Sequence, residues 1–199
     1  YPTLPMEEAF SQQLKEEELE LPAGQFALFM NSMYAVDAYV RDYFRKAALD
    51  ALLAEKLPVT VFGEGWEKYS CGDGHSLRRE PAVPFALSFE RIAKAHVLLN
   101  VSPIFNRGMH DRVPAGMANH AVVLTDENPY LRRTFTDGKE LLFYSLEKPD
   151  TLCEQAERTL TDVRLREKIA ASAYETFERE YTWKRRAEQI LAFAEEVEA

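Results

Sequence analysis

The sequence predicts an α/β fold: a Rossmann-like, doubly wound parallel sheet with helices on both faces, plus helical N- and C-terminal segments. Three observations carry this expectation. Runs such as Val59-Thr60-Val61-Phe62, Val97-Leu98-Leu99 and Ala121-Val122-Val123-Leu124 do not alternate between apolar and charged residues, as strands buried on both faces require. Segments of helical spacing separate these runs, the order expected of a parallel sheet. The chain has 199 residues, 46% of them hydrophobic, enough for one substantial core.

Taken in order, residues 6–20 read as a polar, Glu-rich helix closed by Leu21-Pro22-Ala23-Gly24. Residues 26–55 follow as one long helix, with Tyr34, Ala38, Arg41, Phe44, Ala48 and Leu52 on one face. Pro58 ends it, and strand 59–62 runs into the turn Gly63-Glu64-Gly65-Trp66. Residues 70–80 read as a loop, 83–85 as a short strand and 88–95 as a helix. Strand 96–101 comes next, and Asp111 stands where it can cap a helix to about residue 119, with Pro114 in its first turn. Strands 120–125 and 141–145 complete the sheet, for which the sequence suggests a 3-2-1-4-5 type of order. Three helices, 149–160, 163–177 and 183–197, close the chain, the last capped by Thr182.

Charge narrows the function classes. The net charge is −9, yet residues 1–24 carry six glutamates against one lysine, and residues 187–199 carry four glutamates and no base. The body between them is neutral and can receive an anion. A duplex nucleic-acid binder shows a basic stripe instead, so that partner is not expected. No apolar run approaches the roughly 20 residues of a membrane span, and nothing reads as a signal peptide. Two cysteines, Cys71 and Cys153, make no disulfide framework and fit a cytoplasmic protein.

In doubly wound sheets ligands bind beyond the carboxyl ends of the strands. Three loops qualify: 63–66, 102–111 and 125–129. The second is the richest, with Arg107, Gly108, His110, Asp111 and Arg112 in six residues. Gly108 permits close backbone approach, the next helix offers free amides, and the two arginines suit phosphate oxygens. The same residues also fit an aspartate cap flanked by surface ion pairs, and pattern alone favours that plainer arrangement. Gly63 begins a glycine turn that lacks the third glycine of the dinucleotide fingerprint and the lysine of a P-loop. Cys71-Gly72-Asp73-Gly74-His75 has no second ligand pair for a structural zinc, so it reads as a loop and no metal is expected. Cys153 lacks a nearby base, and neither G-x-S-x-G nor H-E-x-x-H occurs.

Several spaced motifs together resemble a known family. Leu98-Leu99-Asn100-Val101-Ser102-Pro103, Gly108-Met109-His110-Asp111-Arg112-Val113, Met117-Ala118-Asn119, Ala121 to Asp126, Asp137-Gly138 before Phe143-Tyr144, and Thr182-Trp183 with Arg186 are similar to the bacterial, spore-maturation-protein type of group-one glycosyltransferase. Asp37-Ala38-Tyr39-Val40-Arg41 and Val61-Phe62-Gly63 with Gly65-Trp66 extend the likeness over most of residues 32–190. The resemblance implies a GT-B architecture, two Rossmann-like domains facing a cleft, of which this chain is the C-terminal, donor-binding half. Residues 1–24 are then a linker or a remnant of the missing N-terminal acceptor domain, and residues 25–199 the nucleotide-sugar-binding domain. Donor contacts fall to Gly63, Arg107, Gly108, His110, Asp111 and Arg112, with a nucleotide-diphosphate sugar as substrate and no cofactor. The larger group places two glutamates eight positions apart at this turn; here Arg107 and Ala115 stand in their places. No catalytic residue is assignable. A non-catalytic binding module of the same fold is the alternative, and a nicotinamide oxidoreductase is disfavoured by the missing G-x-G-x-x-G.

Overall fold

The computed structural model describes residues 4–70 and 76–198; the Cys71–His75 motif lies outside them. Among the described residues five parallel strands form a pair and a triplet. In the pair, β1 (Val59–Phe62) runs beside β2 (Leu77–Glu80), Val59 opposite Leu77. In the triplet, β3 (Val97–Asn100), β4 (Val122–Asp126) and β5 (Leu142–Tyr144) lie in the order β3-β4-β5, with Val97 opposite Val122 and Leu124 opposite Leu142. β1 with β2 and β4 with β5 are neighbours as a 3-2-1-4-5 order requires. The arrangement departs from that order at the centre: β4 pairs with β3 where the order has β1, and β3 does not pair with β2.

Every residue of the central strand β4 is buried, and its alternate side chains feed two cores. On one face Val122, Leu124, Leu142 and Tyr144 meet Ala48 and Leu52 of α3 (Tyr34–Ala54), Leu152 and Ala156 of α7 (Pro149–Thr161), and Ile169 of α8 (Val163–Glu180). On the other, Val123 and Phe143 meet Val113 and Met117 of α5 (Arg112–Ala118) and Leu131 of α6 (Pro129–Thr134). The remaining helices are α1 (Met6–Glu16), α2 (Ala23–Ser32), α4 (Phe85–Ile92) and α9 (Trp183–Glu198).

Several boundaries differ from the sequence expectations for identifiable reasons. The first helix ends at Glu16 because Glu18 turns left-handed at φ 55° and the Leu19 amide closes on the Leu14 carbonyl. The long helix is two, interrupted at Met33 (φ −81°, ψ 4°) between α2 and α3. Leu77–Glu80 is a strand despite three charged residues, since both its faces are partly open to water. The expected strand at 83–85 is instead the start of α4, with Pro84 as its N-cap residue. The helix α6 goes unpredicted; Asn128 caps it by accepting the Leu131 amide at 2.7 Å, and Pro129 opens its first turn. Thr182 caps α9 as expected, through the Arg185 amide at 3.3 Å.

α5 lies close on the sheet because Gly116 has no side chain. A Cβ there would stand 2.4 Å from Val123 Cγ2 and 3.0 Å from Leu98 Cδ2, inside van der Waals contact. Alanine normally strengthens a helix by up to about 1 kcal/mol relative to glycine. Here overpacking outweighs that gain, and Gly116→Ala should destabilise by about 1–3 kcal/mol in urea unfolding. A variant as stable as the parent would show that α5 can lift without penalty.

Candidate functional site

The carboxyl ends of β3, β4 and β5 carry polar residues where the strands leave the apolar core. Asn100 closes β3, Thr125 and Asp126 close β4, and Tyr144 closes β5; all four are buried. Buried polar groups must find partners inside the protein, and these do. Asn100 Nδ2 donates to Thr125 Oγ1 at 2.9 Å, and Ser102 Oγ donates to Asn100 Oδ1 at 3.2 Å. The Tyr144 hydroxyl donates to the Asn100 carbonyl at 3.1 Å, and the Ser102 amide to Asp126 Oδ1 at 2.7 Å. Asn128 donates to the carbonyls of Phe105 at 2.9 Å and Gly108 at 3.4 Å, holding the 102–111 loop over the strand ends.

Into this network comes Arg112, the first residue of α5. Its Nε donates to Asn100 Oδ1 at 2.9 Å, and one Nη reaches the Val101 carbonyl at 3.4 Å. It is half-buried, and among the described residues no carboxylate lies within ion-pairing distance of it. Burial, and then the charge of Arg45 on α3, work against its protonated form. His110 is pushed down by burial, by Arg112 and by Arg45, with Asp111 opposing. Arg45 itself stands 3.7 Å from Asp42, a loose pair. Asp111 and Asp126 offset this in part, from beyond ion-pairing distance of Arg112, so two guanidinium groups and an imidazole share the site incompletely neutralised, a local field that favours an anion.

The residues singled out from sequence separate in space. His110, Asp111 and Arg112 gather beyond β3. Asp111 does not cap α5; its carboxylate contacts His110 Nδ1, and the Arg112 amide lies 3.2 Å from the same nitrogen. Arg107 is exposed and ion-paired with Glu8 of α1. Gly108 sits against the Phe105 ring, 3.2 Å from where a Cβ would be. Gly63 ends β1 at φ 123°, its amide bonded to the Glu80 carbonyl, and no hydrogen bond among the described residues joins it to the 107–112 segment. Arg45, Asn100, Thr125, Asp126 and Tyr144 were not foreseen. The available signal was that three consecutive apolar strands end in polar residues at the same end.

Beside the loop, an apolar cleft of about 410 Å³ opens between α1 and α3, lined by Phe10, Met33, Val40, Tyr43, Phe44 and Ile104. Among the described residues no three potential ligand side chains cluster to hold a metal, and no helix is long and apolar enough to cross a membrane.

Burial pushes the Asp126 carboxyl up from 3.8 to about 6, against the pull of the Ser102 amide and Arg112. The folded protein thus holds this proton more tightly than the unfolded chain. Asp126 costs stability as pH rises from about 4 to 6, up to about 3 kcal/mol at neutral pH. Asp126→Asn keeps an oxygen for the Ser102 amide and removes the charge. It should be more stable than the parent at pH 8, with the difference closing towards pH 4. A less stable variant at pH 8 would contradict this electrostatic assignment.

The fold has counterparts among solved structures. HepE of Anabaena in complex with UDP-glucose superposes with a TM-score of 0.62 at 11% identity, covering 77% of this chain and 44% of HepE. The complex of HepE with UDP gives the same TM-score, identity and coverage. The chain thus spans less than half the length of HepE, and likeness at this identity concerns the fold. No curated protein matches the chain significantly. A family model described as glycosyl transferase-like matches residues 41–192, a segment that runs from α3 into α9 and includes both sheets and the whole polar network. This chain belongs to the glycosyl transferase-like family.

Proposed function

We propose that the chain is the donor-binding part of a glycosyltransferase, receiving a nucleotide-diphosphate sugar at the carboxyl ends of β3–β5. One observation carries this reading: Arg112, a half-buried guanidinium, is fixed beyond the strand ends with no carboxylate partner among the described residues and with Arg45 nearby. A half-buried cation that makes no direct ion pair, with Asp111 and Asp126 acting only from farther off, is poorly compensated, and a diphosphate supplies a closer charge. Family membership and the UDP-bound HepE structures support the ligand class. As the glycosidic bond breaks, negative charge grows on the leaving diphosphate. A fixed cation then stabilises the transition state more than the bound substrate.

The nucleotide is tested by calorimetry with UDP, GDP, TDP and NAD. A nucleotide diphosphate should bind and NAD should not. Arg112→Ala should lower that affinity by roughly 10- to 100-fold, the loss of a hydrogen bond to a charged group, with the melting temperature little changed. Unchanged affinity in a folded variant would remove Arg112 from the site. A second reading, a binding module without transfer, is favoured by Arg107 and Ala115 standing where the larger group has glutamates. Tight nucleotide binding with no sugar transfer or donor hydrolysis would select it.

A second, N-terminal domain, facing the strand ends and binding the acceptor, completes this proposal. The apolar stripe of α9 supports it: Trp183 is 90% exposed, and Ile190, Leu191 and Val197 are exposed too. An unpacked helix exchanges its amides readily. In this chain alone, residues beyond Leu191 should exchange much faster than β4. Equal protection would mean that α9 needs no further partner.

A further inference from the structure

Asn100 has no exposed surface, and all of its polar capacity points to one task. Nδ2 is anchored on Thr125 Oγ1 of β4 at 2.9 Å. Its own carbonyl accepts the Tyr144 hydroxyl of β5 at 3.1 Å. Oδ1 accepts from Ser102 Oγ at 3.2 Å and from Arg112 Nε at 2.9 Å. Thus the last residue of β3 is tied to both other strands of the triplet, and the oxygen that remains grips a guanidinium by its inner nitrogen. The outer nitrogens make only the 3.4 Å bond to Val101 among the described residues, so their remaining donors are left for a ligand.

The side chain doing the gripping is neutral. A carboxylate at this place would hold the guanidinium at least as firmly, since charge-assisted bonds are the stronger ones, but it would also cancel the charge. A shorter or apolar residue would leave the long Arg112 side chain free to choose among rotamers, at an entropic cost on binding. We propose that Asn100 is a positioning residue for the donor: a neutral amide that orients Arg112 towards the diphosphate while leaving its positive charge unspent. This inference rests on the donor-site reading above and adds the device that makes Arg112 effective.

The test is a double-mutant cycle read as UDP affinity, because a residue acting only through Arg112 has no effect once Arg112 is gone. Asn100→Ala should bind UDP about 5- to 20-fold more weakly than the parent, and add less than twofold in an Arg112→Ala background. Asn100→Asp should also bind at least 5-fold more weakly, because the new carboxylate neutralises the guanidinium. Should Asn100→Ala not fold, Thr125→Val repeats the cycle by cutting the anchor of the amide and leaving its oxygen. Wild-type affinity in Asn100→Ala, or an equal loss with and without Arg112, overturns the positioning role. Wild-type affinity in Asn100→Asp overturns the need for a neutral grip. Wild-type affinity in Arg112→Ala instead overturns the donor-site reading and this inference with it, so the two failures are distinguishable.

Discussion

The structure turns on the burial of β4. All of its residues are shut from water on both faces, so any polar group at its end must be satisfied by other parts of the chain. Thr125 and Asp126 meet that demand by drawing in Asn100 and the chain leaving β3. Tyr144 ties the end of β5 to the same network. The three strand ends therefore form one rigid polar floor. Burial on this scale is driven by the apolar surface around it, Val122 to Leu124 on β4 and Leu142 on β5, each fully buried leucine or valine giving about 1.5–3 kcal/mol.

That floor explains an electrostatic asymmetry. Asp126 favours the Arg112 cation only from beyond ion-pairing distance, and its Oδ1 accepts the Ser102 amide. Asp111 turns to His110. Arg112 and Arg45 are left to repel each other across the mouth of the site. Arg107, which looked like the obvious second cation, is neutralised from outside by Glu8. Positive field at the site thus comes from the first residue of α5 and from one on a helix 67 positions earlier in the chain.

The main strands were legible because β4 and β5 are buried on both faces and β3 is at least half-buried along its length, so all three are apolar up to their polar ends. β2 was not, because Leu-Arg-Arg-Glu belongs to a two-stranded, half-open sheet in which charge is tolerated. The position of β3 beside β4 was also hidden, since apolar runs say which segments pair but not with whom. Of the site, the 107–112 segment stood out by composition and family likeness. Arg45 had no signal of its own, being one of several charged residues on a long helix whose neighbour Phe44 packs towards the core. Asn100 could be quoted within a motif, but its role depends on a network across three strands that spacing along one chain does not reveal.

Gly116 gains a meaning beyond packing once Arg112 is placed. The two residues are four apart, one turn of the same helix, so the height of Gly116 above the sheet also sets the height of Arg112 above Asn100. The absent methyl acts as a shim of zero thickness. Any side chain at position 116 would tip α5 away from Val123 and Leu98 and carry the guanidinium off the amide oxygen, even if the protein stayed folded. The depth at which a helix settles on a sheet, fixed deep in the core, thereby becomes the vertical calibration of a charge at the surface.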